Sequence, residues 1–209
     1  MRRSAFGVGD GWPTECLRNP FVQGARWVSV GGDELRYRTG TTPDVVAVRN
    51  VVRRAFDHHQ CVADMVDLIR ASPQYIPELT LTARIGQDVV GFVMLSHAEV
   101  VGADGTRHGV LTLSPLAVAP DHERQGIGSA LVRAGLTAAE ATGYGLVTLE
   151  GSPTFYGRLG FRYAADFAIT IDLPEWAPPE AAQVYTLRTY DSTMRGKLEY
   201  PPAFAAALD

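Results

Sequence analysis

Gly126 and Gly128 stand two residues apart where an apolar run gives way to a helical pattern. The run is Leu111-Thr112-Leu113-Ser114-Pro115-Leu116-Ala117-Val118, and a polar elbow, Ala119-Pro120-Asp121-His122-Glu123-Arg124, follows it. Gln125-Gly126-Ile127-Gly128 then turns the chain into Ser129-Ala130-Leu131-Val132. Backbone amides at a strand–turn–helix junction converge, and what they converge on is an anion. Two familiar phosphate loops fail on residues. One needs Gly-Lys followed by Ser or Thr, and Gly128 is followed by Ser129-Ala130. The other needs Gly or Ala three positions after Gly128, which is Leu131, so a dinucleotide-binding oxidoreductase is disfavoured.

The next group with chemistry to offer is Tyr156, in Ser152-Pro153-Thr154-Phe155-Tyr156-Gly157-Arg158-Leu159-Gly160-Phe161. A lone tyrosine is most often a packing residue. Here Ser152 stands as a cap, Pro153 in the first turn and Gly160 at the stop, which places Tyr156 one turn into a short helix. Glu150 ends the strand before that helix, and His97 and Glu99 follow an earlier strand. All three are candidates for removing a proton, against the alternative of a solvated surface residue. His58-His59 are adjacent, so on a helix they diverge, and no carboxylate or cysteine completes a ligand set; no metal is expected.

These residues need a scaffold. Leu35 to Thr39 alternates like a strand, and Thr42-Pro43 reads as a helix start leading through Val45, Val48, Val52 and Phe56. Val62 to Ala71 is a second helix, with Met65, Leu68 and Ile69 on one face. Leu79 to Arg84 and Val89 to Ser96 are strands joined at Gly86-Gln87-Asp88, and Val110 to Val118 is a longer one. Pro115 cannot donate to a ladder, so a bulge or splay is expected there. A helix over Ser129 to Thr142, a strand at Leu146 to Leu149, and strands at Phe161 to Tyr163 and Ala168 to Leu173 complete the pattern. Strands alternating with helices, plus hairpin-like pairs, indicate an α/β fold with a mixed sheet of six or seven strands. Residues 1–32, rich in glycine with Trp12, Phe21 and Trp27, read as an N-terminal extension; residues 33–209 read as one domain with a C-terminal tail over 174–209.

Composition sets the bounds. The 209 residues are 46% hydrophobic and 20% charged, with a net charge of −4. That fits a globular protein and argues against nucleic acid as the main partner. Cys16 and Cys61 match no metal or disulfide framework, no apolar run approaches a membrane span, and the first residues lack the core of a signal peptide. A reducing cytoplasm is the simplest setting.

The glycine turn resembles the acetyl-CoA motif of the GNAT superfamily of N-acetyltransferases. The family's Val-x-Pro-like step and Gln/Arg-x-x-Gly-x-Gly/Ala turn read here as Val118-Ala119-Pro120 and Glu123-Arg124-Gln125-Gly126-Ile127-Gly128. Tyr156 to Phe161 is similar to its Tyr-x-x-x-Gly-Phe segment, and Val90-Gly91-Phe92 to a step on its third strand; Gly196 to Phe204 resembles the tail of a bacterial branch of predicted acetyltransferases. The resemblance implies the GNAT acyl-CoA N-acyltransferase fold, with a splayed central strand pair and about four helices. It implies an acetyl-CoA co-substrate, with Arg124, Gln125, Gly126, Ile127, Gly128 and Ser129 cradling the diphosphate and Leu116, Ala117 and Val118 pairing with the pantetheine arm. A free N–H near Val118 would hold the oxyanion, Tyr156 would be the general acid, and Glu150 would be the first candidate base. Glu123 departs from the family's Gln or Arg. The implied activity is acetyl transfer to a primary amine on a small molecule or peptide, in a protein of a family where homodimers are common. The alternative is a non-catalytic acyl-CoA-binding sensor or interaction module on the same fold.

Overall fold

The computed structural model describes residues 28–30, 33–39, 45–57 and 60–206. The expected Thr42-Pro43 helix start, the His58-His59 pair and most of the N-terminal extension lie outside them. Within the described residues one mixed sheet of ten strands carries the fold, seven of them four residues or longer. The strands are β1 (Val28–Val30), β2 (Asp33–Thr39), β3 (Thr80–Ile85), β4 (Asp88–Val101), β5 (Arg107–Val118), β6 (Leu146–Glu150), β7 (Arg162–Tyr163), β8 (Ile169–Thr170), β9 (Ala182–Thr186) and β10 (Gly196–Glu199). The helices are α1 (Val45–Ala55), α2 (Gln60–Arg70), α3 (Ile127–Ala139), α4 (Pro153–Tyr156) and α5 (Pro202–Ala206).

The strand order is β1-β2-β3-β4-β5-β6-β9-β7, with β10 on β4 and β8 on β10. β4 is the spine. β5 pairs with it along one edge from Gly91 to Val101. Its other edge is shared between β3 over the first half and β10 over Glu99 to Val101. Between these two the His97 N–H donates to the Gln74 carbonyl at 3.0 Å.

Alternation along these strands sorts the core into two faces. Val93, Leu95, Leu111, Leu113, Val147 and Leu149 face α3 and pack with its Leu131 and Val132. Phe92, Met94 and Ala117 face α1 and α2, packing with Val48, Met65, Ile69 and Phe204 of α5. Gly91 makes the α3 contact possible: a Cβ there would lie 2.9 Å from Leu131 Cδ1. Leu131 is therefore a core residue seated on a strand glycine.

Several elements differ from the pattern read in the sequence. α3 begins at Ile127 rather than Ser129, so the last glycine of the turn is already helical. Ser152 occupies the cap position of α4, but its side chain makes no capping bond. β8 covers only Ile169–Thr170 of the expected strand at 168–173. The tail is not peripheral: β9 joins the sheet between β6 and β7, and β10 and β8 extend it beside β4. Val28–Val30, within the stretch read as an extension, forms a strand against β2.

Candidate active site

The site begins where two strands part. β5 and β6 run parallel but pair only at Leu111↔Val147 and Thr112↔Thr148. Immediately afterwards, Ser114 and Pro115 stand opposite the single residue Met94, because the register on β4 passes from Leu95↔Leu113 to Val93↔Leu116. The expected bulge and the expected splay thus occur together. The extra residue reverses the phase of the strand, so Leu111 and Leu113 before it, and Leu116 and Val118 after it, all belong to the α3-side core.

The opening is lined by peptide groups. The Ala119 N–H donates to the Val90 carbonyl at 2.9 Å, with Val118 opposite Gly91. Antiparallel pairing alternates which edge each residue's N–H and C=O occupy. Val118 and Leu116 therefore turn their peptide groups away from β4, toward the side where β6 has diverged. A ligand with amide groups in its chain can add to such an edge as another strand does.

At the end of β5 the chain makes a short 3-10 turn, Pro120–His122, and two left-handed residues, Arg124 (φ 58°) and Gly126 (φ 79°), redirect it into α3. The N–H groups of Ile127, Gly128 and Ser129 have no acceptor within the helix, since the first N–H to close a turn is that of Ala130, on the Gly126 carbonyl at 3.0 Å. They and the macrodipole of a 13-residue helix favour an anion at this end. Asp121, ion-paired to Arg54 of α1, ties the loop to the opposite layer. Glu123, Arg124 and Gln125 are exposed. The Glu123 carboxylate thus has access to water, which screens its charge from an anion held at the helix end.

Tyr156 lies on the α3 side. It closes α4, is buried, and packs edge-on against Phe155 and Phe161 with centroids 5.0 and 5.4 Å away. Burial pushes its phenol well above the usual tyrosine range. It therefore stays protonated at any working pH, as a proton donor must.

Glu150 lies on the other side. Val147 and Leu149 face α3, whereas Leu146 belongs to the opposite core, so Thr148 and Glu150 share that opposite face. The Tyr200 hydroxyl donates to Glu150 Oε1. Glu150 Oε2 is buried without a hydrogen-bond partner among the described residues. Burial pushes the carboxyl up to about 7; the bond from Tyr200 opposes this and the Asp172 carboxylate adds to it. A carboxyl titrating near neutrality serves as a base at physiological pH.

The other two base candidates are engaged elsewhere. Glu99 is held by Arg107, whose hydrogen bonds keep its carboxyl below the usual range. His97 Nδ1 is 2.9 Å from the Tyr144 hydroxyl. Among the described residues no group of three or more His, Cys, Asp or Glu is placed to hold a metal ion. Nor is any described helix long and apolar enough to cross a membrane. Tyr200 escaped the sequence reading because its contact with Glu150 spans 50 positions and has no local signature.

Comparison with known proteins gives a consistent picture. The model of the acetyltransferase (GNAT) family matches residues 46–161. The uncharacterized N-acetyltransferase YjhQ of Escherichia coli K12 is 32% identical over 123 residues, which span 58% of this chain and 66% of that protein. Among solved structures, the GNAT family N-acetyltransferase YhbS of Escherichia coli in complex with CoA superimposes with a TM-score of 0.74 at 26% identity, over 85% of this chain and 96% of that one. A GNAT family acetyltransferase of Brucella melitensis in complex with acetyl-CoA gives 0.66 at 24% identity, over 81% and 97%.

Proposed function

Since the chain belongs to the acetyltransferase (GNAT) family, we propose that it transfers an acetyl group from acetyl-CoA to a primary amine by direct attack. The observation that carries this is the parting of β5 and β6 with different chemistry on its two sides. On the α3 side are the helix N-terminus for the diphosphate, the Leu116–Val118 edge for the pantetheine arm, and Tyr156. On the other face is Glu150, where an acceptor approaches without crossing the coenzyme. The CoA and acetyl-CoA complexes of the two structural relatives support the choice of co-substrate.

The roles follow from the positions. Arg124 to Ser129 cradle the diphosphate. Glu150 takes a proton from the acceptor ammonium and frees the lone pair. Nitrogen attacks the acetyl carbonyl carbon, and the Val118 peptide N–H stabilises the oxyanion, a contribution worth roughly 3–4 kcal/mol for such a donor. As the C–O double bond re-forms, the C–S electron pair leaves with sulfur, and Tyr156 gives that sulfur its proton. The second proton shed by nitrogen restores the phenol. The balance is one amide, one thiol and one proton released.

The test is a thiol-release assay with acetyl-CoA against a panel of primary amines, alongside calorimetric titration with acetyl-CoA. Turnover with at least one amine is expected. Binding without turnover on any amine would favour the sensor reading, and no binding would overturn both.

A further inference from the structure

Resting on the reading of Glu150 as base, we propose that Tyr200 is a positioning residue for the reaction: it fastens Oε1 of Glu150 so that Oε2 alone meets the acceptor ammonium. The two carboxylate oxygens are treated differently by the fold. Oε1 accepts from the Tyr200 hydroxyl, while Oε2 is buried and has no partner among the described residues. A buried carboxylate oxygen left open is costly unless something comes to meet it. The acceptor's N–H group is of the right kind, because an ionised carboxylate can only accept.

The tail fixes Tyr200 firmly. Its ring stacks on Phe204, with centroids 5.0 Å apart and planes at 19°. Phe204 is itself sunk among the α1–α2 core residues. The Tyr200 ring also packs against the cluster under β10, joining the two cores on this face. Burial, Glu150 and Asp172 all hold its phenol well above the ordinary range, so it remains a donor. Asp172 is in turn paired with Lys197 of β10 at 2.6 Å.

The experiment compares pH profiles of kcat/KM for the amine in the full chain. Tyr200→Phe keeps the ring on Phe204 and removes only the hydroxyl. A donor to the charged form lowers a carboxyl's pKa, so its loss should move the acid limb up by about one pH unit or more, with KM for acetyl-CoA unchanged. Site-specific 3-fluorotyrosine at position 200, a stronger donor on the same ring, should move the limb down, and it serves equally if Tyr200→Phe does not fold. Glu150→Gln separates the two levels, with an expected loss of about a hundredfold or more on the plateau above the acid limb. Full activity in Glu150→Gln would overturn the base itself. An inactive Glu150→Gln, with position-200 variants whose limbs coincide with the parent's, would overturn the positioning role alone.

Discussion

The ring of Tyr156 occupies the space that a side chain on Gly151 would need: a Cβ at position 151 would lie 2.3 Å from Tyr156 Cε2. The glycine that follows β6 thus seats the candidate acid, and Phe155 and Phe161 prevent the ring from moving aside. Gly151→Ala should displace the phenol. Overpacking of this kind costs about 1–3 kcal/mol, so a folded protein is expected, with a lowered melting temperature and a kcat reduced more than KM for acetyl-CoA. Steady-state kinetics on the purified variant check this, and an unchanged kcat would sink it.

Tyr156→Phe preserves the ring and deletes the proton. Loss of a general acid typically costs 10²–10⁴-fold in rate, and a drop of that order in kcat is expected at saturating acetyl-CoA. Calorimetry should show little change in coenzyme affinity. Retained turnover would remove Tyr156 from the acid role and leave it as packing.

Glu150 makes rate and stability depend oppositely on pH. Activity should rise with pH through a midpoint near the neutral value of about 7 to which burial pushes this carboxyl. Stability should fall over the same approach. The folded protein holds the proton up to about 7, whereas the unfolded chain releases it near the ordinary value of 4.5. Between these values the native state binds more protons, so each step upward in pH favours unfolding, by about 3 kcal/mol across the window. Glu150→Gln should flatten that slope in urea melts between pH 4.5 and 7. A slope identical to the parent's would show that other groups set it.

Gly126 has φ 79° with nothing within 4 Å of the place a Cβ would occupy. Alanine there meets no clash but must hold a left-handed backbone, at a cost of about 1–2 kcal/mol. Relief of that strain would turn the amides of Ile127 and Gly128 off target. Gly126→Ala should therefore weaken acetyl-CoA binding about tenfold while leaving the sheet intact. Equal dissociation constants by calorimetry would argue that the turn carries no phosphate.

What was legible in the sequence was local. Proline at position 115 told of a broken ladder, because a missing N–H is a property of the residue itself. Pro153 and Gly160 marked the tyrosine helix for similar reasons, and Gly160 does adopt φ 96°. The strands of the tail were hidden. β9 is a five-residue run near Pro174, Pro178 and Pro179, and β10 has Leu198 as its one buried side chain. Both exist because β6 and β4 offer open edges, which no window of sequence contains. The same blindness left Tyr200 out of the candidate site, and it kept Glu99 and His97 beside Glu150 as candidate bases although Arg107 and Tyr144 claim them.

A strand ordinarily commits every side chain to a face by one rule of odd and even. In β5 the rule is reset at Ser114–Pro115, so the α3-side core takes residues of one parity before the break and of the other parity after it. Leu116 and Val118 keep their side chains sealed in that core while their peptide groups turn to the gap. What the gap offers a guest is therefore main chain, and exchanging one apolar side chain there for another of like size leaves that offer as it was.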